Sequence, residues 1–181
     1  VVTISDVPIA SLNATNSGPT ELGNTTTFSA SVTEGSNVIF TWDFGDGNAG
    51  SGTDENHTYT AVGVYTATVT ATNAQGASTS TTVVHVGHRT VTILPTVEGT
   101  LVYTNIAGNT AELYLPISAV ENEVQILFTE ISSPTVGQPG LVFAGNSFTL
   151  EAYRGGAQLD GFIFSNPVSV TLHYSDVDVI G

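Results

Sequence analysis

The chain reads as an all-β protein of two consecutive antiparallel β-sandwiches, and three observations lead there. Apolar and polar residues alternate with a period of two in row after row, the pattern of half-buried strands rather than of helices. Gly, Asn and Pro clusters separate those rows at hairpin and loop spacing. The 181 residues, 40% of them hydrophobic, suit two cores of about 90 residues each.

In chain order, Phe28, Ala30 and Val32 form an inward row against Ser29, Ser31 and Thr33. Phe40, Trp42 and Phe44 then share one side while Thr41 and Asp43 share the other. This strand has an aromatic inner face, and its Trp42 is expected in the core. Gly45, Asp46 and Gly47 read as a tight turn, because Gly accepts positive φ and Asp bonds nearby backbone. From Tyr65 to Thr72 the alternation is cleanest, with Tyr65, Ala67, Val69 and Ala71 inward and four Thr outward. Branched Thr fits the pleat while its hydroxyl stays wet. A closing strand is expected over about Ala77–Val86, and helix has no place in this half.

The segment Trp42-Asp43-Phe44-Gly45-Asp46-Gly47, followed by His57-Thr58-Tyr59 and then Val64 to Asn73, resembles the signature of the PKD domain. The resemblance runs from about Pro8 to Val86. It implies a seven-stranded immunoglobulin-like β-sandwich of extracellular proteins. Residues 1–7 then form an N-terminal strand or linker, 8–87 the PKD-like sandwich and 88–181 a second sandwich. The boundary is expected at Gly87-His88-Arg89-Thr90.

Beyond it, Leu113 and Leu115 flank Tyr114, and Val124, Ile126 and Phe128 share a face, as do Phe148, Leu150 and Ala152. Val168, Val170, Leu172 and Tyr174 form a final row opposite Ser169, Thr171 and His173. Turns are expected at Asn105–Asn109, Ser132–Gly140 and Gly155-Gly156. The Gly99-Thr100-Leu101 start, the Leu115-Pro116 step with Ala119-Val120, and the strand from Val170 to Tyr174 resemble ZU5-like β-domains found beside surface repeats. No residue roles are carried over from that likeness. Asp176 to Gly181 follow directly on a strand, so the second sandwich is expected to lack a strand of its own.

Composition excludes several functions. Sixteen acidic residues face only Arg89 and Arg154, and the formal net charge is −14. Nucleic acid and anionic lipid both require a basic footprint, so neither is an expected partner. No stretch of about 18 apolar residues is present to insert in a membrane. Met is absent, so the chain reads as a mature or excised segment, and Cys is absent, so neither disulfides nor thiolate metal sites arise. Only 10% of residues are charged, leaving a surface of Thr, Ser, Asn and Gly that is commoner outside cells. An extracellular or cell-surface location is expected.

The chemistry on offer is sparse. His57, His85, His88 and His173 lie on strands and the linker without zinc spacing, and no nucleophile elbow or phosphate loop occurs. The chain is therefore not expected to be an enzyme. Asp43 and Asp46 read first as turn-fixing residues. Asp43, Asp46 and Asp54, with Glu55, also fall near one loop end, and Asp176 and Asp178 form an Asp-x-Asp; oxygen-rich loops suit calcium, the single candidate cofactor. Asn13, Asn24 and Asn56 open Asn-x-Thr sequons for N-glycosylation, though a chain rich in Asn and Thr produces some by chance.

Two roles remain. The first is a structural or adhesive subunit of a cell-surface filament, stalk or repeat array. Its partners would be copies of itself or neighbouring repeats, through β-strand addition. Val1, Val2, Thr3, Ile4 and Ser5 would form the added strand, since Val1–Ile4 resembles Val83–Val86 and leads straight into a domain. Edges are normally guarded by charge, especially Lys, yet Val1–Ser5, Ser80–Val86 and Val168–Tyr174 carry none apart from His85 and His173. The alternative is an accessory module holding carbohydrate or protein for a secreted hydrolase. That role needs an exposed flat ring, with Tyr114, Tyr153 and Tyr174 as candidates.

Overall fold

The computed structural model describes residues 5–131, 141–143 and 146–173. These contain strands and no helix, and divide into two compact units, residues 1–86 and 87–181. Each unit packs a three-stranded antiparallel sheet against a five-stranded one.

In the first unit the small sheet has the order β1-β3-β6, from β1 (Asn13–Asn16), β3 (Thr25–Ser31) and β6 (Asp54–Thr58). The large sheet runs β2-β8-β7-β4-β5, from β2 (Thr20–Glu21), β4 (Ile39–Asp43), β5 (Ala49–Ser51), β7 (Gly63–Asn73) and β8 (Gly76–Gly87). The inward rows read from the sequence meet between the sheets. Phe28 and Ala30 come from β3, Phe40 and Trp42 from β4, and Ala67, Val69 and Ala71 from β7, all buried. Trp42 is 2% exposed. Its ring centroid lies 5.3 Å from that of Phe28, and its Nε1 donates to the Gly52 carbonyl at 3.1 Å. A buried indole N–H thus has its acceptor, as it must.

The second unit has a small sheet of order β10-β11-β16, from β10 (Gly99–Thr104), β11 (Thr110–Leu115) and β16 (Ser169–His173). Its large sheet runs β13-β14-β12-β9, from β9 (Arg89–Ile93), β12 (Val124–Ile131), β13 (Leu141–Phe143) and β14 (Asn146–Arg154), with β15 (Ala157–Gln158) also paired to β14. Leu101, Leu113 and Leu115 of the small sheet pack on Ile93, Val124, Ile126, Phe128, Phe148 and Ala152 of the large one. Asn105–Asn109 joins β10 to β11, and Gly155-Gly156 joins β14 to β15, where turns were expected. The expected turn at Ser132–Gly140 lies outside the described residues.

Three features depart from the sequence reading. A single residue outside strands, His88, separates β8 from β9, so the expected linker is itself strand on both sides. Leu127 is 1% exposed although it lies on the face of β12 opposite the core row, and the main chain of Gly87 is what it meets: a Cβ at Gly87 would stand 2.6 Å from Leu127 Cδ1. Tyr153, on the outward row of β14, is also buried. Its hydroxyl donates to Glu151 Oε2 at 2.9 Å, and loss of water pushes its pKa well up.

Candidate functional site

The signature loop is where the acidic candidates concentrate. Asp43 closes β4, and its Oδ1 accepts the Gly45 N–H at 2.8 Å. Asp46 Oδ1 accepts the Asn48 N–H at 3.0 Å, and its Oδ2 accepts from Asn48 Nδ2 at 3.0 Å and from His57 Nε2 at 2.7 Å. A carboxylate can only accept, so Nε2 carries the proton. The His57 ring lies flat on Phe44, centroids 4.2 Å apart and planes 2° off parallel, and presents its face or edge to Tyr59 at 4.6 Å. Tyr59 is buried and donates to the Phe44 carbonyl at 2.9 Å. Burial, then the negative charge of Asp46, push its pKa upward. These bonds lock the turn to β6 and to Tyr59 just beyond it, which accounts for the residue types of the motif without any ligand.

Asp54 is equally committed. Its Oδ1 accepts from Ser29 Oγ at 2.8 Å across the β3–β6 pair, and its Oδ2 from Thr53 Oγ1 at 3.4 Å. Among the described residues no three His, Asp or Glu side chains are grouped as a cation requires. Asp43, Asp46 and Asp54, the expected calcium ligands, have separate partners in the structure: turn N–H groups, His57 and Ser29. Asp176 and Asp178 lie outside the described residues.

Of the expected assembly strand, Val1–Ile4 lie outside the described residues, and what the structure shows is its root. Ser5 Oγ accepts from Gln75 Nε2 at 2.8 Å. Asp6 Oδ1 accepts from Asn37 Nδ2 at 2.6 Å and Ser36 Oγ at 3.3 Å, while Oδ2 accepts the Ala74 N–H at 3.2 Å. The Val7 carbonyl takes Asn73 Nδ2 at 2.7 Å. Residues 5–7 are thus fastened to the β7–β8 turn and to the connection before β4. Strand alternation does not mark Asp6 as an anchor; the one signal in the sequence is its place next to an uncharged run.

Asp6 and Asp46 both sit below the ordinary carboxylate value of 3.8. For Asp6 the cause is chiefly the Asn37 hydrogen bond, then the Ala74 N–H. At Asp46 burial pushes upward, but the bonds from His57 and Asn48 outweigh it. A depressed carboxyl stabilises the fold fully above its unfolded value and loses that contribution as pH falls through the folded one. Below about pH 4 the first unit is therefore expected to lose stability progressively. Urea midpoints measured down the acid range check this, and Asp46→Asn should flatten the loss; an unchanged slope in that variant would contradict the assignment.

The edges are less alike than expected. Ser80–Val86 is not free, because β8 lies between β7 and the short β2, and Asn16 Nδ2 donates to the Val83 carbonyl at 2.9 Å and to Thr82 Oγ1 at 2.7 Å. By contrast β16 pairs with β11 alone among the described strands. Tyr174 lies outside them. Of the candidate sugar platforms, Tyr153 is buried, whereas Tyr114 is 39% exposed and donates to Glu98 at 2.8 Å.

In the second unit His88 proves structural. Its Nδ1 accepts the Glu130 N–H at 3.1 Å and its ring lies 5.0 Å from that of Tyr103. The Glu130 carboxylate takes the Tyr103 hydroxyl at 2.9 Å and Asn105 Nδ2 at 2.8 Å. Burial pushes His88 down, and burial followed by the Glu130 bond pushes Tyr103 up to about 12. The cavity beside them, about 30 Å³ and lined by Tyr103, Phe128 and Phe148, has room for about one water.

Comparison with known proteins adds the following. The model of the PKD domain matches residues 10–86. No curated protein matches the chain in sequence. Among solved structures, the PKD domain of the human VPS10 domain-containing receptor SorCS2 is 20% identical, covering 48% of this chain and 82% of its own, with a TM-score of 0.40. The PKD domain of an M14-like peptidase from a Thermoplasmatales archaeon is 22% identical over 45% of this chain and 98% of its own, with a TM-score of 0.38. A structure of carbohydrate-binding modules from the β-sandwich superfamily is 12% identical over 89% of this chain and 82% of its own, at 0.41.

Proposed function

We propose, from the premise that residues 10–86 are a PKD domain, that the chain is a structural or adhesive subunit of an extracellular filament, stalk or repeat array. Copies join by addition of the Val1–Ser5 strand to a sheet edge of a neighbour. The observation that carries this reading is β16, which among the described strands stands at the edge of its sheet and whose Ser169–His173 sequence bears no fixed charge. Such an edge offers unpaired N–H and C=O groups to an incoming chain. Val2 and Ile4 alternate against Val1 and Thr3, so main-chain bonds would supply affinity and side chains the register. The Asp6 anchor gives that strand a fixed root on its own subunit, which reduces the ordering cost of docking.

Net charge opposes association, at −14 per subunit. Raising salt is therefore expected to strengthen assembly by screening. Electron microscopy of the chain with and without Val1–Ser5 tests the reading. Loss of fibres with unchanged monomer folding is the expected result; fibres that form normally without the strand would defeat strand docking. Hydrolysis of peptide or glycan forms no part of this role.

A further inference from the structure

We propose that Asn13, Asn24 and Asn56 carry N-linked oligosaccharides that shield the three-stranded sheet of the first unit. In sequence these sequons could be accidents of an Asn- and Thr-rich chain. The fold places all three on one sheet: Asn13 on β1 opposite Ser31, Asn56 on β6 opposite Thr27, and Asn24 in the turn entering β3. All three side chains are exposed. Neither the large sheet of that unit nor the second unit has a sequon.

Two further observations give the placement a purpose. Among the described strands β1 and β6 are both edges of this sheet, and β1 is Asn-Ala-Thr-Asn with no charge. Lys, the usual guard of such edges, is absent from the chain. A bulky hydrated sugar at Asn13 and another at Asn56 would obstruct pairing from either side. The outer face also holds a shallow depression of about 310 Å³, lined by Thr15, Ser17, Thr27, Ser29, Asp54 and Asn56. Its hydroxyls and carboxylate can exchange hydrogen bonds with the first sugar on Asn56.

The donor class is a polyprenyl-phosphate-linked oligosaccharide. The Asn Nδ2 forms a bond to sugar C1, the C1–O bond to phosphate breaks, polyprenyl phosphate leaves with the electron pair, and one amide proton passes to the transferase. At Asn24 the order of events is fixed by the fold. The sequon hydroxyl, Thr26, is 0% exposed and paired with Thr20 Oγ1 at 2.8 Å, so transfer there precedes closure of the sheet.

The test is site mapping by mass spectrometry on protein from its native source. Sugar mass on Asn13, Asn24 and Asn56 is expected; bare asparagine at any of them overturns the assignment there, and sugar confined to Ser or Thr overturns it altogether. A second arm compares sugar-bearing and sugar-free protein, both lacking Val1–Ser5 so that strand docking cannot contribute. Several-fold greater self-association of the sugar-free form by sedimentation is expected, and equal association would overturn the shielding role. Neither arm depends on whether fibres form.

Discussion

Trp42→Ala is expected to cost the first unit roughly 3–5 kcal/mol, the range for removing a large aromatic from a packed core. The indole is 2% exposed and forms a three-ring cluster with Phe28 and Phe44, whose centroids lie 5.3 Å and 6.5 Å from its own and 5.1 Å from each other. Its removal leaves a void between the sheets and also strands the Gly52 carbonyl that Nε1 now satisfies. Denaturant unfolding followed by circular dichroism measures the loss. Trp42 is the only tryptophan, so fluorescence of the parent protein gives an independent check: emission that external quenchers reach freely would contradict the burial on which the estimate rests.

Gly45→Ala should rank next, at about 3 kcal/mol or more, because two penalties coincide. Gly45 has φ +81°, a region costly to any residue with a Cβ, and an added Cβ would stand 2.6 Å from the carbonyl oxygen of Thr66. That oxygen belongs to the main chain of β7 and cannot rotate away. Gly47 provides the control: its φ is +90°, yet nothing lies within 4 Å of an added Cβ, so Gly47→Ala should cost only about 1 kcal/mol. Equal costs at the two positions would show that contact with β7 plays no part.

Acid loss through Asp6 and Asp46 reads out these two anchors apart from the core. Much of this architecture was legible in the chain because strand alternation is local. Phe28, Trp42, Val69, Ile126 and Phe148 declare their face by what stands one residue away. The turn at Gly45–Gly47 was legible for the same reason, since its geometry is set by the conformational freedom of its own residues.

What alternation cannot see is a partner distant in sequence. It marks Leu127 and Tyr153 as outward, and both are buried, because a period of two describes one face and is silent on what covers the other. It could not place Asp6 against Asn37 and Ala74, nor show that β2 and Asn16 cover part of β8 while β16 pairs with β11 alone among the described strands. Nor could it show the partners of carboxylates that fall close in sequence: Asp43, Asp46 and Asp54 each bond different groups. The sequence by itself determined the strands, their inward faces, the signature turn and the two-sandwich class, all consequences of short-range sterics and the hydrophobic effect. Only the tertiary structure decided the order of the described strands in each sheet, where the three sequons converge and which polar groups are consumed, because each depends on contacts between residues tens of positions apart.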